Sequence, residues 1–163
     1  INIYNASAQE IRKKLDSLKV EYEKKADKWR LVDSLWKFCR KSLSGPGFLI
    51  NQPVEVSPLA KRKEKDDKKV EQFQVIIAGT ELGNGYSELN DPLDQEKRFQ
   101  EQKKLREAGD TEAHEFDESF VEALKYGMPP ACGFGFSERF FAYLMDKPVR
   151  ECVIFPLMKP QTF

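Results

Sequence analysis

The sequence has little that could support histidine, disulfide or membrane-spanning chemistry. It contains one histidine, His114, which we interpret as a surface residue, and three cysteines, Cys39, Cys132 and Cys152. One histidine gives little basis for a triad or metal cluster, and three cysteines without a C-x-x-C pair indicate reduced thiols. No apolar run approaches the roughly 18 residues of a membrane helix, and a signal-peptide core is missing from the N-terminus. We therefore predict a cytoplasmic protein with no membrane partner.

The sequence also lacks a net charge. Among its 163 residues, Lys and Arg total 27 and Asp and Glu total 27. No overall field therefore attracts nucleic acid or a membrane, although a local basic face remains open. The length is typical of one domain with its own core. The chain begins at Ile1 and not at Met, which indicates a fragment or a processed protein.

Residues 1–45 have the pattern of a helical segment. The stretch Ser7-Ala8-Gln9-Glu10 is a capping box, in which the serine and glutamate side chains each bond the other's backbone amide. It predicts a helix over residues 8–19. A second helix is predicted over residues 27–43, because apolar residues recur there at helical spacing and Gly-Pro-Gly follows.

The middle of the chain is patterned as strands. Residues 48–50 predict a short buried strand, and residues 54–56 could extend it. Residues 73–77 and 81–89 predict an antiparallel hairpin. The mixed-charge run over residues 61–69 has no apolar anchor, so we interpret it as a solvated loop, with contact to an RNA phosphate as the alternative.

Helices dominate the prediction for the rest of the chain. A polar surface helix is expected over residues 93–108, and another over residues 117–126 with Phe120 on its buried side. The stretch ACGFGFSERFFAYLM predicts an irregular strand followed by a helix, and residues 149–156 predict a last short strand. Locally paired strands with helices grouped between them indicate an α+β fold, an antiparallel sheet with flanking helices.

Candidate functional residues cluster in the stretch TELGNGYSELNDPLDQ, residues 80–95. Residues two apart on a strand share a face, so Asn84 and Glu88 should point one way and Glu81 the other. A bulge adds one residue to a strand and can reverse that relation, and glycines favour it. We therefore predict an irregularity near Gly83 and Gly85 that brings Glu81 to the face of Asn84.

These side chains suit a site for a basic amino acid beside a metal-bound phosphate. A partly buried Glu88 needs a cation, because an isolated charge out of water is costly. An ammonium group meets that need, and Asn84 can offer it a carbonyl oxygen. Glu81 could hold a hard cation such as Mg²⁺. The alternative is that all three residues are simply solvated on an exposed hairpin.

Arg139 is a second candidate, for a phosphate group. It follows the glycine-bearing GFGFSER stretch and begins a predicted helix, a position where phosphates often bind. The stretch has neither the G-x-G-x-x-G nor the P-loop pattern. Local pairing of Arg139 with Glu138 or Glu151 is the alternative.

Several blocks of the sequence resemble the C-terminal part of class II lysyl-tRNA synthetases. They are VEVSPLAKR, TELGNGYSELNDPLDQ, FQEQKKLREAGDTEA, FVEALKYGMPP, GFGFSER and FPLMKP. The blocks occur in the family's order over residues 46–160, which makes the resemblance far more specific than any one of them. Residues 1–45 look like the helical segment between motif 2 and the rest of the family's catalytic domain. On this basis residues 46–163 would be the motif 3 half of that domain.

The resemblance implies ATP-dependent activation of lysine to lysyl-adenylate, followed by transfer to tRNA(Lys). Asn84 and Glu88 would hold the ε-ammonium of lysine, and Glu81 would ligate catalytic Mg²⁺. Arg139 would be the motif 3 arginine, which binds ATP phosphate. The complete protein would be a homodimer in which this chain joins an N-terminal remainder.

The chain departs from the family pattern in two places. The family usually has a second metal-binding glutamate seven residues before Glu81, where this chain has Gln74. An amide offers oxygen without charge, so the affinity for Mg²⁺ or the number of ions is in question. The motif 3 stretch is one residue shorter than usual and has Ser137 where a glycine or an apolar residue is common.

Other parts of the family's machinery are not found in this sequence. It has no anticodon-binding barrel, no motif 1 dimer helix and no motif 2 arginine. Because adenylyl transfer depends on positioning and charge neutralisation, we expect this chain alone to be inactive.

Two other functions are consistent with the sequence. One is the related lysyl-transferase that modifies elongation factor P, which shares the sheet; its motif tends to read HELTD, so SELND at residues 87–91 favours the synthetase. The other is a non-catalytic interaction module that keeps the fold, which Gln74 and the altered motif 3 favour. The set Glu81, Asn84, Glu88 and Arg139 argues against such a module.

Overall fold

A computed structural model describes residues 1–110 and 113–157 of the chain. Within these residues, an antiparallel sheet is combined with helices, which confirms the predicted α+β class. The helices are α1 (Ala8–Ser17), α2 (Lys28–Cys39), α3 (Pro92–Glu107), α4 (Glu118–Lys125) and α5 (Glu138–Leu144). The strands are β1 (Gly47–Ile50), β2 (Arg62–Lys63), β3 (Asp66–Val70), β4 (Gln72–Ile77), β5 (Thr80–Ser87) and β6 (Cys132–Phe136).

Helices α1 and α2 pack on each other through the predicted apolar stripes. The capping box is confirmed, since Ser7 N donates to Glu10 Oε2 at 2.7 Å and Glu10 N donates to Ser7 Oγ at 3.2 Å. Ile11, Leu15 and Leu31 are fully buried between the two helices. Helix α2 ends at Cys39 and continues into a 3₁₀ turn, earlier than predicted, because Leu43, the apolar residue of its last predicted turn, remains exposed.

The main sheet has the order β1-β4-β5-β6, and every neighbouring pair is antiparallel. The predicted hairpin is confirmed: Ile77 pairs with Thr80 across the two-residue turn Ala78-Gly79. Both turn residues have positive φ, 48° and 69°, the geometry that matches the twist of two joined strands. A Cβ at Gly79 would lie 2.7 Å from the carbonyl oxygen of Arg40. The turn therefore packs against the end of α2.

One face of this sheet is a row of phenylalanines, here called the aromatic face: Phe48, Phe73, Phe134 and Phe136. Phe73 stacks on Phe134 at 5.5 Å and Phe134 on Phe136 at 6.2 Å between ring centroids. Phe48 is 68% exposed, so the prediction that β1 is buried is wrong. Local sequence indicated the strand correctly, but burial requires an element that packs on that face.

Three local structures differ from their predictions. Residues Val54–Val56 form a 3₁₀ turn, not a strand extension, because prolines at 53 and 58 flank them. The charged run 61–69 is not a loop: β2 and β3 form a second, two-stranded sheet anchored by buried Val70. Residues Val149–Glu151 form a 3₁₀ turn where the last strand was predicted. The segment predicted as this strand pairs with no other strand in the described part of the chain.

Helix α4 buries a narrower face than predicted. Val121 and Leu124 are buried, but Phe120 is 40% exposed, so its predicted burial is wrong. Phe120 instead makes an edge contact with Phe99 of α3 at 5.9 Å between ring centroids. The two buried residues, Val121 and Leu124, are three positions apart and so share one side of the helix. Phe120 lies beside that side.

Helix α3 has a buried polar side, which the prediction of a surface helix missed. Arg98 is 3% exposed and Gln95 is 1% exposed. Arg98 Nη1 donates to the carbonyl oxygens of Ser57 and Ala60, at 3.3 and 2.7 Å. Gln95 Nε2 donates to Pro58 O at 3.1 Å. These bonds hold the segment 57–60 against α3.

Asp94 links the same helix to β2. It accepts from Arg98 Nη2 at 2.6 Å and from Arg62 Nε and Nη2 at 2.9 and 3.0 Å. Burial alone would raise the pKa of Asp94, but the hydrogen bonds from Arg98 and Arg62 outweigh it and lower the pKa to about 2. The ionised carboxylate is therefore stabilised by the fold.

Replacing Asp94 with asparagine should lower the free energy of unfolding at pH 7 by about 2 kcal/mol. A folded pKa below the unfolded value means that this stabilisation is fully present above pH 3.8 and is lost as the pH falls towards about 2. Urea denaturation from pH 7 to pH 2 measures it. The control Asp67→Asn removes an exposed carboxylate; Arg62 donates to the main-chain oxygen of Asp67 and not to that carboxylate. Equal losses in both variants would contradict the role of Asp94.

Among residues 1–110 and 113–157, no helix is both long enough and apolar enough to cross a membrane.

Candidate active site

A bulge in β5 determines which side chains share a face. Val75 pairs with Gly83 and Ile76 pairs with Glu81, so Leu82 is an extra residue opposite them. The predicted irregularity is therefore confirmed, directly before Gly83. Residues paired across antiparallel strands share a face, so Glu81 lies on the side of Ile76. Gln74, two residues before Ile76, lies on that same side with its partner Asn84.

The face of the sheet that carries these side chains, here called the site face, is opposite the aromatic face. The neighbouring strand β6 leaves it uncovered. Along β5 it carries Glu81, Asn84 and Tyr86. The β6 residues paired with Asn84 and Tyr86 are Gly135 and Gly133, so no side chain of β6 covers this surface. The alternating GFGF pattern thus places its phenylalanines on one face and its glycines on the other.

Glu88 continues the site face just beyond β5. Its Oε1 lies 3.6 Å from the position of a Cβ on Gly133. Burial raises the pKa of the Tyr86 hydroxyl, and the negative charge of Glu88 raises it further. Asn84 and Glu88 thus point to the same side of the sheet, as predicted.

The main chain at Glu88 is held on both sides. Glu88 N donates to Ala131 O at 2.9 Å, and Leu89 N donates to Leu59 O at 2.9 Å. Lys61 N donates to Ser87 O at 2.8 Å. Because α3 holds the segment 57–60, which contains Leu59 and directly precedes Lys61, its buried polar residues support Glu88 indirectly.

Asn84 is positioned by a neighbouring amide. Gln72 Nε2 donates to Asn84 Oδ1 at 2.9 Å, and Ser57 Oγ donates to Gln72 Oε1. A carbonyl oxygen has two lone pairs, so Asn84 Oδ1 keeps one of them for a substrate. Its NH₂ group has no hydrogen bond within the described residues, and it remains available as a donor.

Glu81 lies beside the C-terminal end of α2. The nearest atoms of the Arg40–Glu81 ion pair, Nη1 and Oε2, are 3.7 Å apart. Burial raises the pKa of Glu81, while Arg40 opposes that shift. Glu81 and Gln74 both line a cavity of about 500 Å³ between α2 and the sheet.

This cavity fits one hard cation better than two. Gln74 Oε1 is buried and has no hydrogen-bond partner in the described part of the chain, so it could serve as an oxygen ligand beside the Glu81 carboxylate. The described residues contain no group of three or more acidic, histidine or cysteine side chains that could hold a metal. Asp33 also lines the cavity but is paired with Lys37, so the Glu81 carboxylate and the Gln74 amide would leave most positions to substrate and water.

Arg139 is the second residue of α5, which starts beside the Glu81 end of β5. Ser137 caps the helix, and its amide donates to Leu82 O at 2.7 Å. Arg139 is exposed. Its guanidinium makes no ion pair with Glu138 or Glu151, nor a bond to Glu81, Asn84 or Glu88, among the described residues. The structure thus brings Asn84 and Glu88 to one face with Glu81, and leaves Arg139 at its edge.

Sequence reasoning did not single out Arg40, Gln72 or Arg98. Arg40 and Glu81 are 41 positions apart in the chain, and only the packing of α2 on the hairpin brings them together. Gln72 had a detectable signal, because it lies two residues before Gln74 and so shares its face. Arg98 had none, since its partners are carbonyl oxygens of a distant segment.

The sequence profile of the family described as tRNA synthetases class II (D, K and N) matches residues 3–159. The chain belongs to this family. The predicted resemblance is thereby confirmed, and the α+β chain is part of a class II synthetase catalytic fold.

Curated relatives of the chain are named lysine–tRNA ligase. The protein of Thermotoga sp. (strain RQ2) is 44% identical over 165 residues, which cover 100% of this chain and 33% of the relative. That of Thermosipho africanus is 43% identical, with the same coverage. That of Porphyromonas gingivalis is 40% identical over 99% of this chain and 28% of its own length. The chain spans about one third of the relatives it matches.

Proposed function

We propose that this chain is the part of a lysine–tRNA ligase that binds lysine and the phosphates of ATP. The observation that carries the proposal is the β5 bulge, which aligns Glu81, Asn84 and Glu88 on one open face. Their order along the strand gives the site two ends, about 20 Å apart at ~3.3 Å per residue. One end carries Glu88, and the other carries Glu81 and begins α5.

The Glu88 end would receive the ε-ammonium of lysine. A carboxylate in a partly buried position gains most from a cationic partner, and a neutral amino acid would leave it unpaired. The site would therefore reject neutral side chains strongly. Ornithine, which is one methylene shorter, would lose only ~1–3 kcal/mol of binding. Tyr86, beside Glu88 on the same face, would exclude water from the ion pair.

The Glu81 end would receive the phosphates of ATP. Glu81 and Gln74 would hold Mg²⁺, which supplies charge neutralisation for the phosphate oxygens when bound. Arg139 has an exposed guanidinium at this end and would donate to a phosphate oxygen. Asn84, midway between the two ends, would contact lysine and so fix its position relative to ATP.

The remaining donors of an adenylate-forming site would come from the rest of a complete protein. We infer that an N-terminal remainder supplies them, that the complete protein is a homodimer, and that tRNA(Lys) receives the lysyl group. By itself the chain should give little ATP–pyrophosphate exchange, because half of a site cannot fully position the substrates or neutralise the phosphate charge.

A chimera tests this function. Joining this chain to the other two thirds of the Thermotoga sp. relative, which matches the whole chain at 44% identity, should give lysine-dependent ATP–pyrophosphate exchange. The intact Thermotoga sp. protein is the positive control, and the isolated chain is the negative control. Exchange that does not require lysine, or none from a chimera that folds by circular dichroism and gel filtration, would overturn the proposal.

The acceptor of the lysyl group separates the ligase from the transferase alternative. With labelled lysine, the chimera should charge tRNA(Lys) and leave elongation factor P unlabelled. Label on the protein acceptor would favour the lysyl-transferase. Binding of lysine without any exchange in the folded chimera would favour a non-catalytic module.

A further inference from the structure

The end of α2 meets the β4–β5 hairpin beside Glu81. The hairpin turn packs so tightly on α2 that a Cβ at Gly79 would lie 2.7 Å from Arg40 O. This packing places the Arg40 guanidinium 3.7 Å from Glu81. Close packing between the main chain of the hairpin turn and the main chain at Arg40 thus sets the position of Arg40.

Among the described residues, Arg40 is the cation that forms an ion pair with Glu81, although Lys14 and Lys37 also line the cavity. Lys37 lies in the last turn of α2, just before Arg40, and lines the same cavity, but its ammonium pairs with Asp33 at 2.7 Å. Gln74, the other candidate metal ligand, is neutral. Asp33 also lines the cavity, but Lys37 already balances its charge, so Arg40 is the partner that balances Glu81.

Several polar groups around the same cavity have unused hydrogen-bonding capacity. Arg40 Nε, Trp36 Nε1, Gln52 Nε2 and Gln74 Oε1 are buried without a hydrogen-bond partner in the described residues, and all four residues line the cavity. Gln52 as a whole is only 7% exposed. Unpaired buried polar groups are costly, so these four groups would gain from water or a polar ligand bound in the cavity.

We propose that Arg40 is a built-in cation of the Glu81 position, which neutralises the carboxylate and competes with a divalent metal ion for it. This inference rests on the proposed function only in taking Glu81 as the metal ligand. A metal ion and a guanidinium cannot both sit at 2–4 Å from one carboxylate without repulsion. The Arg40 guanidinium therefore repels a metal ion at this carboxylate, and Arg40 sets the affinity of the position for Mg²⁺.

Direct metal binding to the chain tests the proposal, with Mn²⁺ as a probe for Mg²⁺. Electron paramagnetic resonance of free Mn²⁺ gives the dissociation constant, and thermal melting shows that each variant folds. Arg40→Met keeps most of the side-chain volume and should tighten Mn²⁺ binding about tenfold, since it removes repulsion at short range. Arg40→Lys keeps the charge and should bind Mn²⁺ as weakly as the unmodified chain.

Three further variants complete the design. Lys14→Met is the matched control: it removes the same charge from another residue that lines the cavity and should change Mn²⁺ affinity less than twofold. Gln74→Glu should tighten binding by adding a carboxylate. Glu81→Gln should abolish the gain that Arg40→Met gives.

The outcomes distinguish the inference from the proposed function. Equal Mn²⁺ affinity in the unmodified chain and in Arg40→Met, or an equal gain from Lys14→Met, would overturn the role of Arg40. The same holds if the folded Arg40→Met and Gln74→Glu variants bind no Mn²⁺ at all. Mn²⁺ binding that survives Glu81→Gln would instead remove Glu81 from the proposed metal site. The proposed lysine site at Glu88 would be unaffected by that result, because the exchange assay tests it separately.

Discussion

Lysine activation should fall about 100-fold in kcat/KM when Glu88 is replaced by glutamine in the Thermotoga sp. chimera, a change of about 2.7 kcal/mol in transition-state stabilisation. Glutamine keeps the shape of the side chain and removes the charge that pairs with the ε-ammonium. The loss should appear mainly as a higher KM for lysine, with the KM for ATP nearly unchanged. ATP–pyrophosphate exchange measures both constants.

The substrate profile separates a direct contact from general damage. In the Glu88→Gln variant, the preference for lysine over norleucine, its neutral counterpart, should shrink by the same factor. The control Glu71→Gln removes an equal charge from the neighbourhood of Ser87, whose amide bonds Glu71 O at 3.0 Å. A similar loss in the control, or an unchanged KM for lysine in Glu88→Gln, would remove Glu88 from the lysine site.

Local signals in the sequence were sufficient for most of the helices and for the hairpin. The Ser7–Glu10 capping box acts within one turn, and the Ala78-Gly79 turn joins strands that are adjacent in sequence. Such features need no knowledge of distant contacts. The bulge at Leu82 was also predictable, because two glycines lie in a strand that otherwise has the required alternation.

Features that depend on distant partners were missed. The β2–β3 pair has a charged sequence, and part of its support comes from the Arg62–Asp94 pair across 32 positions. The burial of Arg98 depends on carbonyl oxygens of Ser57 and Ala60. No periodicity within α3 could have indicated those acceptors. Conversely, the apolar residues at 153–155 favoured the prediction of a strand over residues 149–156, but β-propensity alone does not supply a pairing partner.

The same distinction applies to the candidate site. That Asn84 and Glu88 share a face follows from the period of a strand, so the sequence was enough. The neighbours that modify their chemistry, Gln72 at Asn84 and Arg40 at Glu81, come from sheet register and helix packing. A ligand set can therefore be predicted from one strand, while the charges that compete for it cannot.

The glycines of β5 and β6 should respond to substitution in opposite ways, because they face opposite sides of the sheet. A Cβ at Gly135 meets nothing within 4 Å, whereas a Cβ at Gly85 would lie 2.9 Å from both the Phe73 and the Phe134 rings. Gly135→Val should therefore change the free energy of unfolding by less than about 0.5 kcal/mol. Gly85→Ala should lower it by about 1–3 kcal/mol, since the stacked rings must separate.

Function should show the reverse order. A valine at position 135 would stand about 5 Å from Asn84, on the open surface where lysine is proposed to bind. In the chimera, Gly135→Val should reduce kcat/KM for lysine by 100-fold or more, while Gly85→Ala should retain activity at temperatures where it stays folded. Urea denaturation and pyrophosphate exchange on the same preparations give both quantities. If Gly135→Val is fully active, the glycine side of β6 does not face the substrate, because a side chain there could not be accommodated beside bound lysine.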